Sequence, residues 1–257
     1  MNLLRISSIA SNVFREVIRD RVLYLIGLYA LTILFAVRFI PELAASTENK
    51  IILDIGLGAM GILGLIVTIF VSTGLVNKEI EKRTVYVLVA KPITRTELII
   101  GKHLGLSAVL AVLIGTMTIF LMIILSYNRI PYYPTNILLS GLFMWLELSL
   151  ITAVGILFGV FTSSLLATLL TIGVYLMGNA SRDLITLGKL TQNVDLERMM
   201  TGLYLILPDL ARLNLKNDAI YGVLPSLPNL AINFGYGIIY IILLLTISTM
   251  VFSRREF

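Results

Sequence analysis

Ile130–Ser181 reads IPYYPTNILLSGLFMWLELSLITAVGILFGVFTSSLLATLLTIGVYLMGNAS, and Glu147 is its one charged residue. As a single helix the stretch would extend roughly 78 Å at ~1.5 Å per residue. A hydrocarbon layer is only ~30 Å thick. The chain must therefore fold back on itself, and the hydroxyl cluster Thr162-Ser163-Ser164 marks the turn. That gives two spans, 136–161 and 163–180. Uncharged runs at 22–37, 55–76, 104–126 and 230–252 supply four more. The expected fold class is an all-α integral membrane protein with six transmembrane helices.

Composition agrees. Of 257 residues, 58% are hydrophobic and 14% charged, with a mean hydropathy of +0.95. Soluble chains carry about 25% charge, so a soluble enzyme of this length is excluded. With no cysteine and a single histidine, His103, the chain has no disulfide framework, thiol nucleophile or Cys/His zinc site. His103 is expected as an ordinary interfacial side chain.

Six spans put both termini on one side, and basic residues choose the side. With the N-terminus inside, twelve Lys and Arg fall on inner segments, among them Arg5, Arg15, Lys82, Arg83, Arg95, Lys102 and Arg254. Only Arg38, Lys50 and Arg129 fall on the two short outer loops. The predicted orientation has both termini cytoplasmic. Residues 3–21 alternate an apolar stripe (3, 6, 10, 13, 14, 17) with a polar face (5, 8, 12, 15, 16, 19), the pattern of an amphipathic helix lying on the inner membrane surface. No small-residue cleavage site follows, so the segment is expected to stay on the mature protein.

Two polar islands interrupt the spans. The inner one, NKEIEKRTVYVLVAKPITRTELIIGKH (Asn77–His103), carries a coupling region at 78–102. A helix is predicted from Glu79 to Ala90, closed by Pro92, because the residue before proline avoids the α region. Thr94-Arg95-Thr96-Glu97 then matches a capping box that starts a helix continuous with the third span. A stiff helix–turn–helix knob results. The outer island, 182–228, holds apolar patches too short to cross, which suit short helices in the outer interface or a re-entrant pair buried against the spans.

Sites of chemistry are sparse. GxxxxGK[ST], HExxH and GxSxG motifs are all missing, and the basic residues are not interleaved with stacking aromatics, which argues against nucleic acid. Glu147 is the sharpest single residue. An acid at a helix centre costs ~2.5–3.5 kcal/mol on the insertion scale, so it faces protein, water or a partner. It is either a lining group of a transport path or a buried acid that fixes helix packing. Asp54, at the outer end of its span, is the other embedded acid. Gly155 with Gly159, and Gly101 with Gly105, form GxxxG patterns that permit close helix contact.

The inner island resembles that of the membrane subunits of type-2 ABC exporters. Glu79, Glu81, Arg83, Thr84, Pro92, Arg95, Glu97, Gly101 and Lys102 match the family's E-x-E-x-R-T … P-x-[ST]-R-x-E … GK run. The surface helix before the first span, the outer segment LYLILPDLARLNLKNDAIYG (Leu203–Gly222) and the basic end Ser253-Arg254-Arg255-Glu256 extend the likeness over nearly the whole chain. The outer segment is similar to the subgroup related to the permease of nitrous-oxide-reductase maturation.

The resemblance implies a permease without its own ATPase, the island being a coupling helix seated on a cytoplasmic ATPase. Glu79, Glu81, Arg83, Thr84, Pro92, Arg95 and Glu97 would make that coupling, with Glu147 and Asp54 at a translocation path or dimer interface. It further implies two ATPase subunits holding Mg-ATP, a second permease copy, membrane lipids around the spans, room for an extracytoplasmic or adaptor protein, and a bacterial plasma (inner) membrane. No cofactor is expected in this chain. Two other readings remain open: a membrane scaffold that recruits a soluble partner, and an ion-coupled carrier using Glu147.

Overall fold

In the computed structural model, residues 2–43, 48–81, 94–181 and 194–254 are described, and every regular element among them is helical. The chain runs α1 (Leu3–Val17), a π-helical turn (Ile18–Val22), α2 (Leu23–Leu43), α3 (Glu48–Glu81), α4 (Arg95–Tyr127), α5 (Pro134–Phe161), α6 (Ser164–Asn179), α7 (Val194–Ile206), a 3₁₀ turn (Leu210–Arg212), α8 (Lys216–Tyr221) and α9 (Leu227–Arg254). At ~1.5 Å per residue, α3 and α4 are each roughly 50 Å long. Both therefore extend beyond a hydrocarbon layer.

Among the described residues five helices, α2, α3, α4, α5 and α9, are long and apolar enough to cross a membrane. The sixth expected span is shorter. α6 has 16 residues, about 24 Å. What completes that side of the bundle is the segment after α7, where Leu210, Leu213, Leu215 and Ala219 are buried. That part of the outer island packs into the protein, whereas α7 leaves Met199, Leu205 and Ile206 exposed.

α5 is the central helix, packed on α3, α4, α6 and α9. Its small residues make this possible. A β-carbon added at Gly159 would lie 2.9 Å from the Thr73 carbonyl oxygen, and one at Gly155 would collide with the Ser72 hydroxyl of α3. Around α5 the core is aliphatic: Leu106, Leu110, Leu113 and Met117 of α4 meet Leu57 and Met60 of α3. The outward faces are also apolar, as with Leu31, Leu34 and Phe35 on α2 and Ile239, Ile242 and Leu243 on α9. Such faces suit lipid, since tails are as apolar as the side chains.

The amphipathic N-terminal helix divides its stripe. Ile6, Val13 and Val17 are buried while Leu3 and Leu4 are exposed. The cause is local: α1 lies on Gly101 and Gly105 of α4. A β-carbon at Gly105 would approach the Ala10 carbonyl oxygen to 2.7 Å, and one at Gly101 would meet Ile9 at 2.8 Å. α1 is therefore partly docked on protein, not wholly spread on a surface. Residues 79–81 prolong α3. The rest of the helix predicted to Ala90, together with Arg83, Thr84 and Pro92, lies outside the described residues.

Candidate functional site

The first residues after the island form a junction. Thr94 is the N-cap of α4, and the capping box is complete: Glu97 N–H donates to Thr94 Oγ1 (3.3 Å) while Thr94 N–H donates to Glu97 Oε2 (3.0 Å). An N-terminus leaves open amides that such a pair satisfies. Glu97 does more than cap. Its Oε1 accepts the Asn2 amide N–H at 2.7 Å, and the Arg5 guanidinium lies 4.0 Å from Oε2. Asn2 in turn caps α1 by accepting Leu4 N–H at 3.1 Å. One carboxylate thereby fastens the start of α1 to the start of α4, and Glu97 is left 2% exposed.

Its neighbour Arg95 reaches a third element. Nη1 donates to the carbonyls of Phe252 (2.7 Å) and Ser253 (2.5 Å), and the guanidinium sits 5.7 Å from the Phe252 ring centroid. The last carbonyls of a helix have no intrahelical partner, so a cation at the end of α9 both fills them and meets the negative end of the helix dipole. Lys102, two turns along, donates to the Leu75 carbonyl of α3. Asn77, at the other foot of the island, donates to the Thr162 carbonyl at 2.9 Å, which joins α3 to the α5–α6 turn. Leu98, Ile99, Ile156, Val160 and Phe252 pack into an apolar seat behind these bonds.

Both feet of the island are thus tied to the ends of the other helices. Arg95 and Glu97, singled out in the sequence for contact with a partner, spend the bonds described here on the chain itself. The side chains of Glu79 and Glu81, like all of Arg83, Thr84 and Pro92, lie outside the described residues. Asn2, Arg5 and Asn77 belong to the junction without having been chosen from the sequence. A signal existed for Asn2, which precedes the apolar stripe as an N-cap residue should. Asn77 was marked only as the start of the inner island, the first polar residue after an apolar run.

Glu147 lies elsewhere, within the bundle and 3% exposed. Asn179 Nδ2, at the end of α6, donates to its Oε1 at 3.2 Å. The Lys216 ammonium attracts it electrostatically from α8, and the same ammonium is 2.6 Å from where a β-carbon at Gly61 would stand. No basic residue sits in the spans by sequence, so this partner had to come from the folded-in segment. Asp54 is exposed on α3 and does not join Glu147. His103 is buried, contrary to its expected interfacial place: its Nε2 is 3.0 Å from the Ser149 carbonyl, and Ser107 and Ser149 share a bond of 2.9 Å. Burial follows because that side of α4 packs on α5.

Beyond the spans, Asp209 accepts from Ser181 Oγ and Arg212 Nε at 2.9 and 2.8 Å. The Asp209 and Tyr204 bonds hold the Arg212 charge, raising its pKa from an already high value. Among the described residues no three His, Cys, Asp or Glu side chains are placed to hold a metal ion.

No curated protein matches the chain. The family model described as ABC-2 family transporter protein matches residues 7–257. That family is a membrane transport component, not itself catalytic, and generally works with ABC ATPase subunits. The chain, with five membrane-length helices among its described residues, belongs to the ABC-2 family of transporter permeases.

Proposed function

We propose that the protein is the permease of an ATP-driven exporter, with the island at 78–102 as its coupling helix. The observation that carries this reading is the junction: the two feet of the island hold α1, α3, the α5–α6 turn and the end of α9 through Glu97, Lys102, Asn77 and Arg95. A push on the island is then shared by four elements at once. A floppy loop would absorb such a push, whereas a helix capped at its root passes it on. ATP binding in the partner would favour one of two packings of the assembly, and hydrolysis would reset it.

In this reading the chain crosses the membrane six times, with α6 as the short fifth crossing completed by Leu210–Tyr221. Both termini face the cytoplasm and α1 rests at the inner interface, in a bacterial inner membrane. Two copies of the permease meet two ATPases, and Mg-ATP is held by the latter. The apolar faces of α2 and α9 favour an amphipathic or lipid-linked cargo. The island's E-x-E-x-R-T run and the Leu203–Gly222 segment support kinship with the nitrous-oxide-reductase maturation subgroup. Glu147 then tightens the packing beside the path, held by Asn179 and Lys216, and a carrier cycling protons on it has less support than an exporter.

The test is ATP turnover by the assembly purified from native membranes. Arg95→Glu should leave the ATPase bound but lower its turnover at least tenfold, because the island loses its tie to α9. Unchanged turnover with the ATPase bound would overturn the coupling and leave the scaffold reading standing.

A further inference from the structure

At the end of the bundle opposite the junction lies a cavity of about 430 Å³, within the ~300–1,000 Å³ range of small-ligand sites. Its polar lining is Asn179, Arg212, Asn214, Asn217, Asp218 and Asn233. These come from four separate pieces: the end of α6, the 3₁₀ turn with the residues just after it, α8, and the start of α9. The side chains of Asn217, Asp218 and Asn233 have no hydrogen-bond partner among the described residues. Arg212 uses Nε on Asp209 and Nη2 on Tyr204 (3.4 Å), which leaves Nη1 over.

The chemistry of this lining is restrictive. One guanidinium and one carboxyl face the same space, so a phosphate would meet Asp218 and a metal ion would meet Arg212. Four carboxamides dominate. Asn217 and Asn233 offer donors beside an acceptor. Asn214 keeps its donors while its Oδ1 takes the Lys216 N–H (3.2 Å), and Asn179 keeps its acceptor. Neighbouring hydroxyls, which also donate and accept, match that arrangement. We propose that the cavity binds a neutral polyhydroxylated group of the size of a sugar ring or two.

A second observation ties the cavity to the interior. Asn179 lies in its lining and also donates to Glu147, at 3.2 Å, and to the Tyr175 carbonyl, at 3.2 Å. Its Oδ1 has no partner among the described residues. A ligand hydroxyl donating to that oxygen polarises the amide and strengthens the bond to Glu147. Occupancy is thereby sensed at the buried acid. The inference does not depend on an ATPase partner.

The experiment uses the full chain in nanodiscs, away from sugar-bearing detergents. Equilibrium binding is measured with sucrose as the free probe and with glucosyl diacylglycerol in the disc as the lipid-borne one. Saturable binding of either is expected. Sucrose binding identifies a soluble source, and binding of the glycolipid alone identifies a headgroup. Asn217→Leu and Asn233→Leu should each weaken affinity at least tenfold, and Tyr127→Phe, on the exposed surface, should not. Asn217 is exposed, so Asn217→Leu keeps the test valid if Asn233→Leu fails to fold. Three results overturn the proposal: binding of neither probe, equal affinity in wild type and both variants, or displacement of the sugar by inorganic phosphate or Mg²⁺ at equal concentration.

Discussion

Gly105 shows how much hangs on single residues. It lets α1 lie on α4, and a side chain there would press on the Ala10 backbone. Gly105→Val should cost about 1–3 kcal/mol by overpacking, read as a lower thermal midpoint of the purified protein. Gly115→Val, where nothing lies within 4 Å of an added β-carbon, should leave the midpoint unchanged or slightly raised, since valine is the better helix former. Glu147 and Lys216 make a second test at this scale. Taking away the cation that attracts a buried acid is worse than removing both. Lys216→Met alone should therefore destabilise more than Lys216→Met with Glu147→Leu, as a double-mutant cycle in thermal unfolding will show. Of these residues the glycines were legible as a spacing. The Glu147 partner was not, because a sequence cannot say that a lysine 69 positions away folds back into the bundle.

At the scale of elements, the capping box carries its prediction directly. Thr94→Ala removes the acceptor for Glu97 N–H and should cost about 1 kcal/mol, seen as faster hydrogen exchange at the first amides of α4. Local chemistry of this kind is readable in a sequence, since cap, proline and periodicity act within a few residues. So the start of α4 and the break after Phe161 stand where their side chains ask for them. The apolar stripe of α1 gave the helix but not its neighbour. Periodicity says which face is oily, and only packing says whether lipid or protein covers it. The same gap holds for α6, which lies within the expected 163–180 but whose bond from Asn179 to Glu147 no local pattern announces.

For the whole molecule, the ABC-2 family and the helical bundle follow from long apolar runs and the island between α3 and α4. What composition cannot reveal is that the island's two feet are bonded to each other and clasp three other elements. Because the chain has no native cysteine, one introduced thiol reports from a single place. The most direct measurement is therefore Thr84→Cys carrying a short photoreactive label, irradiated in native membranes with Tyr127→Cys at the opposite end as reference. The central claim predicts an adduct between Thr84→Cys and an ABC ATPase subunit, and none from Tyr127→Cys. An ATPase that co-purifies with the chain yet never joins the label at position 84 would contradict it.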